Sequence, residues 1–168
     1  MKDNNISRVL EIMKDERAIF ERILEISTKK TDIIVKREIE ELEKITNMEF
    51  DLAGRLEVLE IERLKIIKEF AAGFGIKRED FDISELAKFF EGETSKNLIQ
   101  IKEDINKILY DLKNINEVNG KLLKNSLEYV DFLVNLVTNI DDSTDNKYSN
   151  QGKLSEANAP RRMFDLKL

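Results

Sequence analysis

Apolar positions recur along this chain in steps of three and four, and those steps divide it into helices. The longest run is Leu98, Ile101, Ile105, Ile108, Leu112, Ile115, Asn119, Leu122, Ser126, Tyr129, Leu133, Leu136 and Ile140. Its steps alternate strictly, and Asn119 and Ser126 are its polar members. A sustained 3.5-residue repeat predicts a helix, over about 95–140, that needs a partner seam along its whole length. Thr94 or Ser95 is the expected cap. An earlier run, Ile6, Leu10, Met13, Phe20, Leu24 and Ile34, has polar slots at Arg17, Ser27 and Thr31. It predicts a helix over about 5–36, capped by Asn5 or Ser7. A third run, Leu42, Ile45, Leu52, Leu56, Leu59, Ile66 and Phe70, carries Glu49 and Arg63 in its slots and predicts a helix over about 38–72. No Gly or Pro separates these two segments, so periodicity alone allows one continuous helix. Compactness favours a turn near Lys36–Glu38, which makes the two seams partners for the last helix.

Stop signals complete the pattern. In AAGFGIKRED, Gly73 and Gly75 can take the left-handed backbone that ends helices. DISELAKFF follows, and it predicts a short helix over about 83–90. Asp82 and Glu85 there have capping-box spacing, and Phe81, Leu86, Phe89 and Phe90 give it an apolar side. After Ile140 the run DDSTDNKYSNQGKLSEANAP offers almost nothing to bury, which predicts a flexible tail over 141–168. Met163, Phe164, Leu166 and Leu168 restore apolar character at its tip, either as a short binding motif or as a segment that docks on its own bundle. The fold class expected is all-α: a long antiparallel helical bundle over 1–140, built as a coiled-coil-like hairpin plus a long third helix.

Two features of the last helix stand apart. Asn119 lies inside the seam, where a polar residue costs stability and fixes register. Beyond Gly120 a second stripe runs beside the first: Leu123, Leu127, Val130, Val134 and Val137, widened by Phe132. A two-helix seam uses only one stripe. The second is then either packed on another helix of the same protein or left as an exposed apolar groove for a partner helix.

Composition narrows the chemistry. Charged residues make up 37% of the 168 residues, with one proline, no cysteine and no histidine. Disulfides, thiolate sites and the commonest general base and metal ligand are therefore excluded. Acid pairs such as Glu40–Glu41 and Glu60–Glu62 alternate with Lys and Arg, the pattern of a solvated face. A carboxylate metal site in such a bundle would normally use a Glu-x-x-His repeat. No catalytic residue, cofactor or metal ligand is expected. A net charge of −6 lacks the basic footprint of nucleic-acid binding. No apolar run is long enough to insert in a membrane, and acids interrupt the N-terminal segment where a signal peptide would be apolar, so a cytoplasmic location is expected.

With these residues in place the chain resembles the FlgN family of flagellar export chaperones over nearly its whole length. The likeness rests on the acidic opening segments around VKREIEELEKI and LEIERLKIIKEFA, on DISELAKFF, and above all on NINEVNGKLLKNSLEYV. The last resembles an N-x-x-N-x-x-L-L-x-x-S-L run, occupied by Asn116, Asn119, Leu122, Leu123, Ser126 and Leu127. YSNQG, at 148–152, is also similar. The resemblance implies a chaperone for the hook-filament junction proteins FlgK and FlgL, holding their C-terminal segments and delivering them to the export gate protein FlhA at the membrane. On that reading Leu123, Leu127, Val130, Phe132, Val134 and Val137 form the client groove, and Tyr148 and Phe164 dock on the gate. A structural coiled-coil scaffold and a chaperone for another secretion client are the competing readings, and either a monomer or a homodimer is compatible with the pattern.

Overall fold

The computed structural model describes residues 2–76 and 81–145, with side-chain surroundings for 5–76 and 81–138. It is all-α. Helix α1 spans Lys2–Lys36, α2 Ile39–Gly73, α3 Ile83–Ala87 and α4 Gly92–Asp145. The helices overrun the expected caps: Asn5 and Ser7 lie inside α1, and Thr94 and Ser95 inside α4. Lys2 and Asp3 at one start, and Gly92 with Glu93 at the other, extend the intrahelical ladder beyond those polar side chains. The last helix also continues past Ile140 to Asp145, into what the composition marked as tail, while the short helix stops at Ala87 and leaves Lys88–Phe90 as a turn. The rest of the tail, 146–168, lies outside the described residues.

Between α1 and α2 the chain reverses at Arg37, whose φ of 59° is left-handed. The Arg37 N–H donates to the Ile34 carbonyl and the Glu38 N–H to the Ile33 carbonyl, both at 3.1 Å. That paired closure is the one a glycine normally makes at a helix end. Gly75 (φ 68°) makes it after α2, with the Gly75 and Ile76 N–H groups donating to Ala72 and Ala71.

Contacts give the helix directions. Arg8 pairs with Glu62, Arg63 with Glu16, and Lys30 with Glu49, so α1 and α2 are antiparallel. Arg17 pairs with Asp104 and Thr31 with Asn119, so α4 runs parallel to α1 in a nearly constant register. α1 therefore packs two faces. Met13, Phe20 and Leu24 share the side of Arg17 and Thr31, whose partners are on α4. Ile12, Ile19, Ile23 and Ile26, all buried, share the side of Arg8, Glu16 and Lys30, whose partners are on α2. The main core gathers Ile6, Val9 and Met13 of α1, Ile67 and Phe70 of α2, Ile83 and Leu86 of α3, and Leu98, Ile101 and Ile105 of α4.

Short α3 is held by three devices. The Asp82 carboxylate accepts from the Ser84 and Glu85 N–H groups at 2.8 and 3.0 Å, capping the helix. The Lys102 ammonium donates to Asp82 and to the Ser84 hydroxyl, tying the cap to α4. Phe70 is surrounded by Phe74, Phe81, Phe89 and Phe90, with ring centroids 4.7–6.3 Å away. Five residues could not hold a helix alone; cap, ion pair and aromatic cluster supply what length does not.

Candidate functional site

Polar residues in the seams find one another across helices. Arg63 donates to Glu16 at 2.9 Å, and Arg17 to Asp104 at 3.1 Å. The buried Ser27 hydroxyl donates to Glu49, which also receives Lys30. The Thr31 hydroxyl donates to the Asn119 side-chain oxygen at 2.7 Å, while the Asn119 amide donates to the Ser27 carbonyl at 2.8 Å. Each interruption of the apolar pattern thus has a mate, and a helix slipped by one turn would bury unpaired polar groups. Ser126 instead bonds within its own helix, to the Leu122 carbonyl.

A cleft of about 490 Å³ opens between α1, α2 and α4 beside α3, lined by Met13, Phe20, Leu64 and Leu109 with Glu16, Arg63 and Lys102. Its cations are taken: Arg63 by Glu16, Lys102 by Asp82. Burial raises the Glu16 carboxyl above its ordinary value, with Arg63 opposing. The cleft therefore offers no unpaired cation to an anionic ligand. Among the described residues no group of three or more acids could hold a metal ion, and no helix is long and apolar enough to cross a membrane.

The chain divides into two units, Met1–Ser126 and Leu127–Leu168. By the α1–α4 register, Lys36 at the end of α1 stands level with positions 123–124 of α4. Leu123, in the first unit, is half-buried. From Leu127 the second stripe is exposed, with Leu127 at 66% and Val137 at 60%, and Val130 and Val134 between. Phe132 is exposed too, but about half a turn away from that stripe at 100° per residue, so it does not widen it; it falls instead beside the row of Tyr129, Leu133 and Leu136.

The main stripe departs from expectation. Tyr129, Leu133 and Leu136, assigned to a seam partnered along its whole length, are exposed. α1 and α2 are each 35 residues long against 54 for α4, so the partner seams end first. Residues 127–137 consequently carry two adjacent exposed apolar stripes covering about half of the helix circumference. This wider surface was missed because the repeat itself does not change at Ser126; only the lengths of the partners mark the limit. Tyr148 and Phe164 lie outside the described residues.

What this arrangement can do is bind. Among the described residues the bundle ends in an amphipathic helix with exposed apolar stripes, an arrangement suited to packing a partner helix. The FlgN protein family matches over residues 1–156, and the chain belongs to that family. Membership makes it a flagellar export chaperone in the general sense; the family is one of chaperones rather than enzymes. The chain is also 23% identical over 159 residues to the uncharacterized protein YvyG of Bacillus subtilis (strain 168), covering 95% of this chain and 96% of that one. No solved structure matches it.

Proposed function

We propose that this chaperone binds the C-terminal amphipathic segments of the hook-filament junction proteins FlgK and FlgL in the cytoplasm and hands them to FlhA at the export gate. The observation that carries the reading is the bare surface of α4 from Leu127 to Val137, on a protein of the FlgN family. An export client's terminal helix lacks its assembly partners until it reaches the growing structure, and two adjacent apolar stripes fit such a helix. Leu127, Val130, Val134 and Val137 form the proposed contact, Leu123 its half-buried start, and Phe132 the far edge of the adjacent row of Tyr129, Leu133 and Leu136. Binding needs no cofactor and releases without an energy source. Tyr148 and Phe164 are the proposed gate-docking residues.

Calorimetric titration with the FlgK and FlgL C-terminal segments tests this reading. Micromolar binding that is lost in Leu127→Glu/Val134→Glu and kept in a chain ending at Asp145 supports it. Absence of binding to the folded wild-type chain sinks these clients. FlhA binding lost only in the shortened chain assigns the tail to the gate.

A further inference from the structure

Helix α2 carries a second apolar face that the bundle does not use. Phe50 is 79% exposed and Ile61 62%, with Val58 exposed beside them. Gly54 sits among them in mid-helix, where glycine is less favourable than alanine. Among the described residues nothing requires it: a Cβ there would meet nothing within 4 Å. An open cleft of about 590 Å³ lies alongside, with Ala18 of α1 next to Gly54 and Val58 of α2. A glycine at the centre of an exposed apolar stripe lets a second helix backbone approach closely.

The charges on this face identify that second helix. Moving outward from Gly54, Phe50 and Val58 lie four residues to either side, Glu43 and Lys65 eleven, and Glu40 and Lys68 fourteen. All of them fall within one side of α2 at 100° per residue. Two copies of α2 crossing antiparallel at Gly54 would set Phe50 on Val58, Ile61 on Asn47, Glu43 on Lys65 and Glu40 on Lys68, each twice, with the acids Asp51 and Glu57 facing each other at the flanks as the opposing contact. None of Glu40, Glu43, Lys65 and Lys68 forms a salt bridge among the described residues. A symmetric dimer requires such a self-complementary patch. We propose that the outer face of α2 is a homodimer interface, with the two-fold axis at Gly54 and the two α2 helices antiparallel.

Sedimentation equilibrium of the full chain across the micromolar range tests it, with circular dichroism to confirm folding. The wild-type chain is expected to dimerise, and Gly54→Leu and Phe50→Glu/Ile61→Glu to be helical monomers. Glu43→Lys and Lys65→Glu alone should each weaken the dimer by about tenfold or more, since each sets like charges together twice. An equimolar mixture of those two variants should recover it, because every cross pair is again opposite in sign. A wild-type chain that stays monomeric overturns the proposal. So does a dimer that survives Phe50→Glu/Ile61→Glu, or two weakened variants whose mixture does not recover, which would place association on another surface such as a client-type helix site.

Discussion

The Asn119 amide donates to the Ser27 carbonyl at 2.8 Å, across the interface between α4 and α1. Thr31, one turn further along α1, donates its hydroxyl to the same side chain. One buried asparagine thereby finds partners for both its amide and its side-chain oxygen on α1, a helix carbonyl and a half-buried hydroxyl. Its value is in placement: shifted by a turn, α4 would set leucine or isoleucine against both. Asn119→Ala is expected to destabilise the fold by about 1–3 kcal/mol, the loss of two interhelical hydrogen bonds. In urea unfolding, Asn119→Ala with Thr31→Val should lose less than the two single changes added together, because the shared bond is counted once.

Glu16 and Arg63 form another largely buried polar contact, with side chains 5% and 20% exposed. Removing only the acid leaves a cation in a site with little water. Glu16→Ala should therefore cost about 3 kcal/mol or more, read from the urea midpoint. Glu16→Gln keeps an acceptor for Arg63 and should cost less.

Two carboxyls respond to acid in opposite directions. Asp82 is held below its ordinary value by its bond to Lys102, helped by the Glu85 and Ser84 N–H groups against some burial. Its contribution is present above the unfolded value of about 3.9 and is lost as pH falls through the lower folded value. Glu16 is raised by burial, so the folded chain holds its proton longer than the unfolded one. Stability associated with that proton is complete below about 4.3 and is lost as pH rises through the higher folded value. In urea unfolding across the acid range, Asp82→Asn should flatten the profile at its lower end. Glu16→Gln should flatten it just above the ordinary carboxylate range.

Arg37 holds the left-handed position at the α1–α2 reversal, where a side chain is strained by about 1 kcal/mol. Arg37→Gly is expected to raise the melting temperature while leaving helicity unchanged. A lower melting temperature would mean that the arginine's own contacts outweigh the backbone strain.

Parts of this fold were legible in the sequence and parts were not, for reasons that differ by element. The seam from Leu98 to Ile115 repeats without a polar break, and its buried members Leu98, Ile101 and Ile105 join the core. The slots Arg17, Ser27, Glu49, Arg63 and Asn119 were readable as interior positions, but their mates depend on register, which the spacing of one helix does not contain. Ile12, Ile19, Ile23 and Ile26 form a second stripe on α1, in steps of seven, four and three, that the pattern also contained; one stripe already accounted for a two-helix seam. The bare surface beyond Ser126 follows from unequal helix lengths, a tertiary fact. The caps failed because Asn5, Ser7, Thr94 and Ser95 are good cap residues in helices that begin earlier.

On the proposed reading the exposed stripes of α4 carry client binding without carrying stability. Leu127, Val130, Val134 and Val137 are open to solvent, so replacing them removes little packing; surface changes of this kind usually fall within about 0.5 kcal/mol. Leu127→Glu/Val134→Glu should therefore melt like the wild type while losing the client segment. Leu133→Glu/Leu136→Glu tests the adjacent stripe by the same two measurements. If one pair abolishes binding and the other leaves it intact, the client helix lies along a single stripe. If both abolish it and both chains still melt normally, the client spans the two, which is the width that the early end of α1 and α2 leaves bare. A substantial loss of melting temperature in either pair would instead show that these side chains are buried in solution, and would move the client surface elsewhere.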